Sequence, residues 1–249
     1  MLRGLLPSSL LLIAAGVVVV DVGACGPGSL IGQPCTPGTD ALETCEGTAR
    51  LICNGSYYEL LATCDHDCVA GPGTTHEATE LTADETWLCA EGPHLVTGNV
   101  TVGEGVTLTI EPGTEVRLQP TTTITAVEGA RVEIDAAPGN EVLFTSDNGF
   151  SPGFGSAATG GLNVFATSAA EPSIVRGLIV ERGNNGITVS GLSDRVEELP
   201  VIERCTLRDN QIFGILVNCE TTDTEVPDWA ASNTFFENAG GDVSSCDPG

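Results

Sequence analysis

The chain has 249 residues, with 34 acidic against 9 basic side chains and a formal charge of −25. Every basic residue is Arg, which excludes Schiff-base lysine chemistry and a phosphate-loop lysine, and a field this negative excludes nucleic acid and anionic membrane surfaces as partners. Charged residues are 17% and hydrophobic ones 41% of the chain, so it is not globally disordered.

Met1-Leu2-Arg3 places one positive charge before an almost wholly apolar run, Leu5 to Val20, and Val22-Gly23-Ala24 supplies small residues before Cys25. This layout predicts a secretory signal peptide over residues 1–24. The run is shorter than the roughly 20 residues that cross a bilayer, and it contains Pro7. Val22-Gly23-Ala24-Cys25 resembles the lipobox of bacterial lipoproteins, which implies that Cys25 becomes the first mature residue and carries a lipid into the membrane. In that family Gly26, rather than Asp, implies an outer-membrane address. Removing residues 1–24 takes away Arg3 and Asp21 together, so the acidity belongs to the mature chain.

Residues 25–34 read as a Gly/Pro-rich tether. Cys35, Cys45, Cys53, Cys64 and Cys68 then crowd into a module spanning 35–70, with few core-sized side chains between them. Such a segment needs covalent staples, and with Cys89 the count permits three disulfides of open connectivity. Cys64-Asp65-His66-Asp67-Cys68 has C-x3-C spacing rather than the C-x2-C of zinc knuckles, so disulfides are the expected use of these thiols. Residues 71–86 are polar without a clear period and read as a linker.

From residue 87 to 249 the chain repeats. At an offset of 26, Pro112-Gly113 meets Pro138-Gly139 and Val116 meets Val142. At 28, Arg176 meets Arg204, and Ile179, Leu207 and Phe235 form a column, as do Glu181, Asp209 and Glu237. Anchors recur at Val106, Val132, Leu162, Ile187, Ile215 and Val243, giving about six repeats. Inside each repeat, runs such as Val106-Thr107-Leu108-Thr109-Ile110 alternate with the strand period, and Gly, Pro, Asn and Asp punctuate them. Like residues in columns predict an all-β solenoid: a single-stranded parallel β-helix of about six coils behind the small disulfide-rich module. Cys219 and Cys246, one repeat apart, are expected to pair, and Cys205 to remain a buried free thiol.

Val100 to Leu118, followed by Val142-Leu143-Phe144-Thr145-Ser146, resembles the opening coils of right-handed parallel β-helix proteins of bacterial surfaces, a superfold shared with pectate lyases and polygalacturonases. The resemblance implies the right-handed fold, and it raises polysaccharide cleavage as one activity. The hydrolases' Asn-Thr-Asp and Asp-Asp pairs are absent from the sequence. The lyases of the fold use calcium-holding acids and an Arg base, for which Glu181, Asp209 and Glu237, beside Arg176 and Arg204, are the candidates; Ca2+ would relieve their mutual repulsion. Phe150, Phe154 and Trp229 sit in insertions, where their rings either stack on sugars or fold back as lids. His66, His76 and His94 all precede the repeats and are expected to be solvated. The sequence reading is therefore a non-catalytic scaffold or binding role at the cell surface, for a glycan or a protein, with a polysaccharide lyase or hydrolase as the alternative.

Overall fold

A computed structural model describes residues 29–37, 43–68, 70–147, 155, 160–166, 171–192, 199–219 and 226–244. Two assemblies are present. The first is an antiparallel three-stranded sheet of Glu43–Glu46, Ala49–Cys53 and Tyr58–Thr63. Gly47 makes its first turn at φ 57°, where a side chain would be strained. The Asn54 carboxamide oxygen accepts from the Ser56 and Tyr57 backbone N–H groups and makes the second. Three disulfides hold this module: Cys35–Cys53, Cys45–Cys68 and Cys64–Cys89. The last ties it to the second assembly. These bridges indicate an oxidising, extracytoplasmic environment. Among the described residues no helix is long and apolar enough to cross a membrane.

The second assembly is three parallel sheets visited in rotation. The first sheet stacks Thr74–His76, His94–Val96, Glu115–Leu118, Val142–Ser146, Leu178–Glu181, Thr206–Arg208 and Thr234–Phe236. The second stacks Thr79–Leu81, Val100–Val102, Ile124–Ala126, Leu162–Phe165, Ile187–Leu192, Phe213–Cys219 and Gly241–Val243. The third has Glu85–Trp87, Thr107–Ile110, Arg131–Asp135, Ile174–Arg176 and Val201–Glu203. Many strands alternate: Thr107–Ile110 runs half-buried, buried, half-buried, buried, while Leu162–Phe165 and Ile187–Leu192 are buried at consecutive positions. The buried set points into one core between the sheets. Columns of like residues run along it, such as Val100, Ile124, Leu162, Ile187, Ile215 and Val243. This all-β, parallel arrangement is compatible with a β-helix.

Two sequence expectations change. Residues 71–86, expected as a linker, supply the first strand of every sheet. The anchor Val132 belongs to the third sheet, where it pairs with Leu108, and Val106 precedes a strand of that sheet, whereas Leu162 and its successors belong to the second. The third sheet stops two strands early. After Val201–Glu203 a short helix, Trp229–Ser232, takes the next position, where the Ser232 carbonyl accepts from the Arg204 N–H and Asn233 Nδ2 donates to the Ile202 carbonyl.

Candidate binding cleft and charged ladders

The repeat of the sequence is 28 residues, but the first and third sheets step by 27 between two successive strands. Val180 pairs with Leu207 and Glu181 with Arg208, while Arg176 pairs with Glu203. Glu181 therefore does not stack on Asp209, and Arg176 does not stack on Arg204. The reason is packing: Val180 and Leu207 are fully buried, and a slip of one residue would turn both outward. Asp209 and Glu237 fall at successive copies of the corner after the first sheet, where the φ angles are 55° and 52°; Arg182, at φ 65°, holds the place expected for Glu181. The three-acid column on which the calcium expectation rested is thus not formed, because an arginine interrupts it.

What forms instead is alternating charge. Arg208 Nη2 lies 2.7 Å from Glu181 Oε2, and its Nε lies 2.9 Å from the same oxygen. The Thr145 hydroxyl donates to Glu181 Oε1 at 3.0 Å, and the residue is 8% exposed. On the third sheet Arg176 Nε donates to Glu203 at 3.0 Å, and Arg204 Nη2 reaches Asp135 at 3.0 Å. Each acid here has a guanidinium partner, an arrangement that fixes strand register and adds modest stability at the surface.

The disulfide module docks against the outer face of the first sheet. Arg117 bridges to Glu43, Arg50 donates to Glu43 at 2.8 Å and lies 3.5 Å from Glu115, and Asn140 Nδ2 donates to the Thr63 carbonyl at 3.0 Å. Between the two assemblies lies a cavity of about 170 Å³. The module contributes Arg50, Leu61 and Ala62, and the sheet and its corners contribute Glu115, Asn140, Glu141, Leu143 and Ile179. None of these was a candidate from the sequence. The residues that meet across it, Thr63 and Asn140, are 77 positions apart, beyond the reach of any local motif.

The remaining expected residues fall as follows. Cys35, Cys45, Cys53, Cys64, Cys68 and Cys89 are all paired. Cys205 is a free, buried thiol whose pKa burial raises to about 11. Cys219 ends a strand of the second sheet, its backbone in register with Leu192, while Cys246 lies outside the described residues, as do Cys25, Phe150 and Phe154. Trp229 is 2% exposed and packs into the main core, so it is a lid and not a platform for a sugar. His66 is exposed, 3.3 Å from Glu111.

His76 and His94 correct the expectation of solvated histidines. His94 is 1% exposed and occupies the inward column of the first sheet, in register with Val116. Its ring lies 5.3 Å from that of Trp87 at an interplanar angle of 5°, and the His76 ring stacks on Trp87 at 4.0 Å. His94 Nε2 lies 2.9 Å from the Leu88 carbonyl and must donate to it, which leaves Nδ1 to accept from His76 Nε2 at 2.9 Å. Burial pushes His94 down to about 4, against a smaller upward pull from the Leu88 carbonyl, and burial lowers His76 as well. Neutral rings thus close the first end of the core.

Comparison with known proteins finds no matching family model, no matching curated protein and no matching solved structure.

Proposed function

We propose that the chain is an exported, lipid-anchored protein of the cell surface whose three sheets form the faces of a right-handed parallel β-helix, and whose role is to bind or display rather than to cleave. The observation that carries this reading is the pairing of charge. Of the groups expected at a lyase site, Glu181 is bound to Arg208 and Arg176 to Glu203, so this acid and this arginine act as register ties and not as free catalytic groups, while Asp209 and Glu237 are left at the corners, apart from Glu181. Seven-stranded sheets support seven coils where the repeat gave about six, residues 74–87 supplying the additional one. Right-handed winding follows the strong preference of crossovers between parallel strands. Three disulfides and the Val22-Gly23-Ala24-Cys25 sequence support export and the lipid anchor, with an outer-membrane address from Gly26. The ligand is a glycan or a protein.

The test is a panel of polysaccharides incubated with the purified chain and calcium, read both as binding and as release of reducing ends. Binding without release is the expected result. Release that disappears in Asp209→Ala would replace this reading with that of a lyase or hydrolase. The anchor is tested separately: the wild-type chain is expected to partition into detergent and Cys25→Ser into the aqueous phase.

A further inference from the structure

The cavity beside the disulfide module has a chemistry that selects its occupant; the inference rests on the binding role proposed above. Its wall is aliphatic. Leu143 and Ile179 are adjacent in register on the outer face of the first sheet, and Leu61 faces them from the module. Among the lining residues Arg50, 3% exposed, pairs with Glu43 and lies 3.5 Å from Glu115, while its Nη1 is buried without a hydrogen-bond partner among the described residues. Glu141, also in the lining, is half-buried, accepts the Gly139 N–H at 3.1 Å and has no arginine paired with it among the described residues.

Size narrows the choice. A volume of about 170 Å³ lies below the roughly 300–1,000 Å³ of small-molecule sites and suits one long side chain. Charge narrows it further. An anion would meet Glu115, Glu141 and the field of a chain carrying −25. A sugar would find no aromatic ring among the lining residues. Lys and Arg stems, in contrast, lie along apolar surface while their heads stay polar.

We propose that this cavity receives a lysine or arginine side chain from a cationic partner polypeptide, its stem against Leu61, Leu143 and Ile179 and its charged head at Glu141. The negative field steers such a partner inward, and the cavity gives the encounter a defined seat.

The probe is acetyl-hexalysine amide, titrated calorimetrically against the full chain at physiological salt. Glu141→Gln and Ile179→Arg are each expected to weaken binding about ten-fold, a loss of about 1.4 kcal/mol. Glu80→Gln, the same change of charge on an exposed strand far from the cavity, is expected to change it less than about two-fold. Equal losses in Glu80→Gln and Glu141→Gln would show attraction to the diffuse field alone and overturn the proposal. Leu61→Arg, at a half-exposed position of the module, blocks the cavity from the other side should Ile179→Arg fail to fold. Glycan binding without any hexalysine binding would overturn this assignment while leaving the broader binding role intact; polysaccharide cleavage would overturn the broader role itself.

Discussion

His94 carries the clearest acid sensitivity of any single residue. Its Nε2 must donate to Leu88, so a proton added at Nδ1 turns that nitrogen towards the Nε2–H of His76, donor against donor. The folded-state pKa, about 4, lies below the ordinary value of 6.5. The folded state therefore binds this proton less readily than the unfolded chain does. The associated stability is fully present above pH 6.5 and is lost as the pH falls from 6.5 towards 4, at up to about 1.4 kcal/mol per pH unit. The melting temperature is expected to fall across that window in the wild type and to fall less steeply in His94→Leu; parallel slopes would show that other groups set the acid limit. Cys205 makes a second expectation at this scale. With its pKa raised to about 11 by burial, the thiol is almost wholly protonated at pH 8, so iodoacetamide should label it only after unfolding.

Register is decided at the level of strands. Glu181 sits opposite Arg208, with the Thr145 hydroxyl as a second partner, so Glu181→Arg leaves a buried hydroxyl short of an acceptor and sets cation against cation. The expected cost is about 1–3 kcal/mol in urea unfolding, and Glu181→Arg combined with Arg208→Glu should recover part of it. No recovery would mean that the pair is not the tie between these strands. The staple between assemblies is tested likewise: replacing Cys64 and Cys89 by Ser should cost about 2–4 kcal/mol and expose the module to protease while the sheets stay folded. The same strands show what a sequence can reveal. The column Leu162, Ile187, Ile215, Val243 was legible because those strands of the second sheet place an aliphatic residue at this inward position, and the offsets from Ile187 to Ile215 and from Ile215 to Val243 equal the visible repeat. The Glu181 register was not, because glycine and asparagine copies elsewhere in the repeat set the apparent offset at 28, while one residue of difference was absorbed at the corner that Asp209 turns. Residues 74–87 escaped notice for another reason: three-residue strands bury too few side chains to display a period, and only Leu81 and Trp87 among them are apolar and buried. The cavity at Leu61 and Ile179 was invisible because docking, not local sequence, creates it.

For the whole molecule two electrostatic effects oppose each other. Every arginine among the described residues has a carboxylate partner, and salt weakens such pairs. Yet 34 acids face 9 arginines, so most carboxylates have no cation to meet and repel one another over the surface of the sheets. A surface ion pair contributes at most about 1 kcal/mol, whereas repulsion sums over many pairs of like charges whose separations fall within the Debye length of about 10 Å at 0.1 M salt. The surplus is the larger effect. The melting temperature at pH 7 should therefore rise as sodium chloride increases from about 0.01 M to 0.15 M, across which the Debye length contracts from about 30 Å to about 8 Å. Hexalysine binding should weaken over the same range, since the field that destabilises the folded chain is the one that draws the partner in. A melting temperature that falls with salt would instead make the ladders at Glu181 and Glu203 the dominant electrostatic feature of the fold, and would assign the acidic surplus to segments that contribute little to the stability of the sheets.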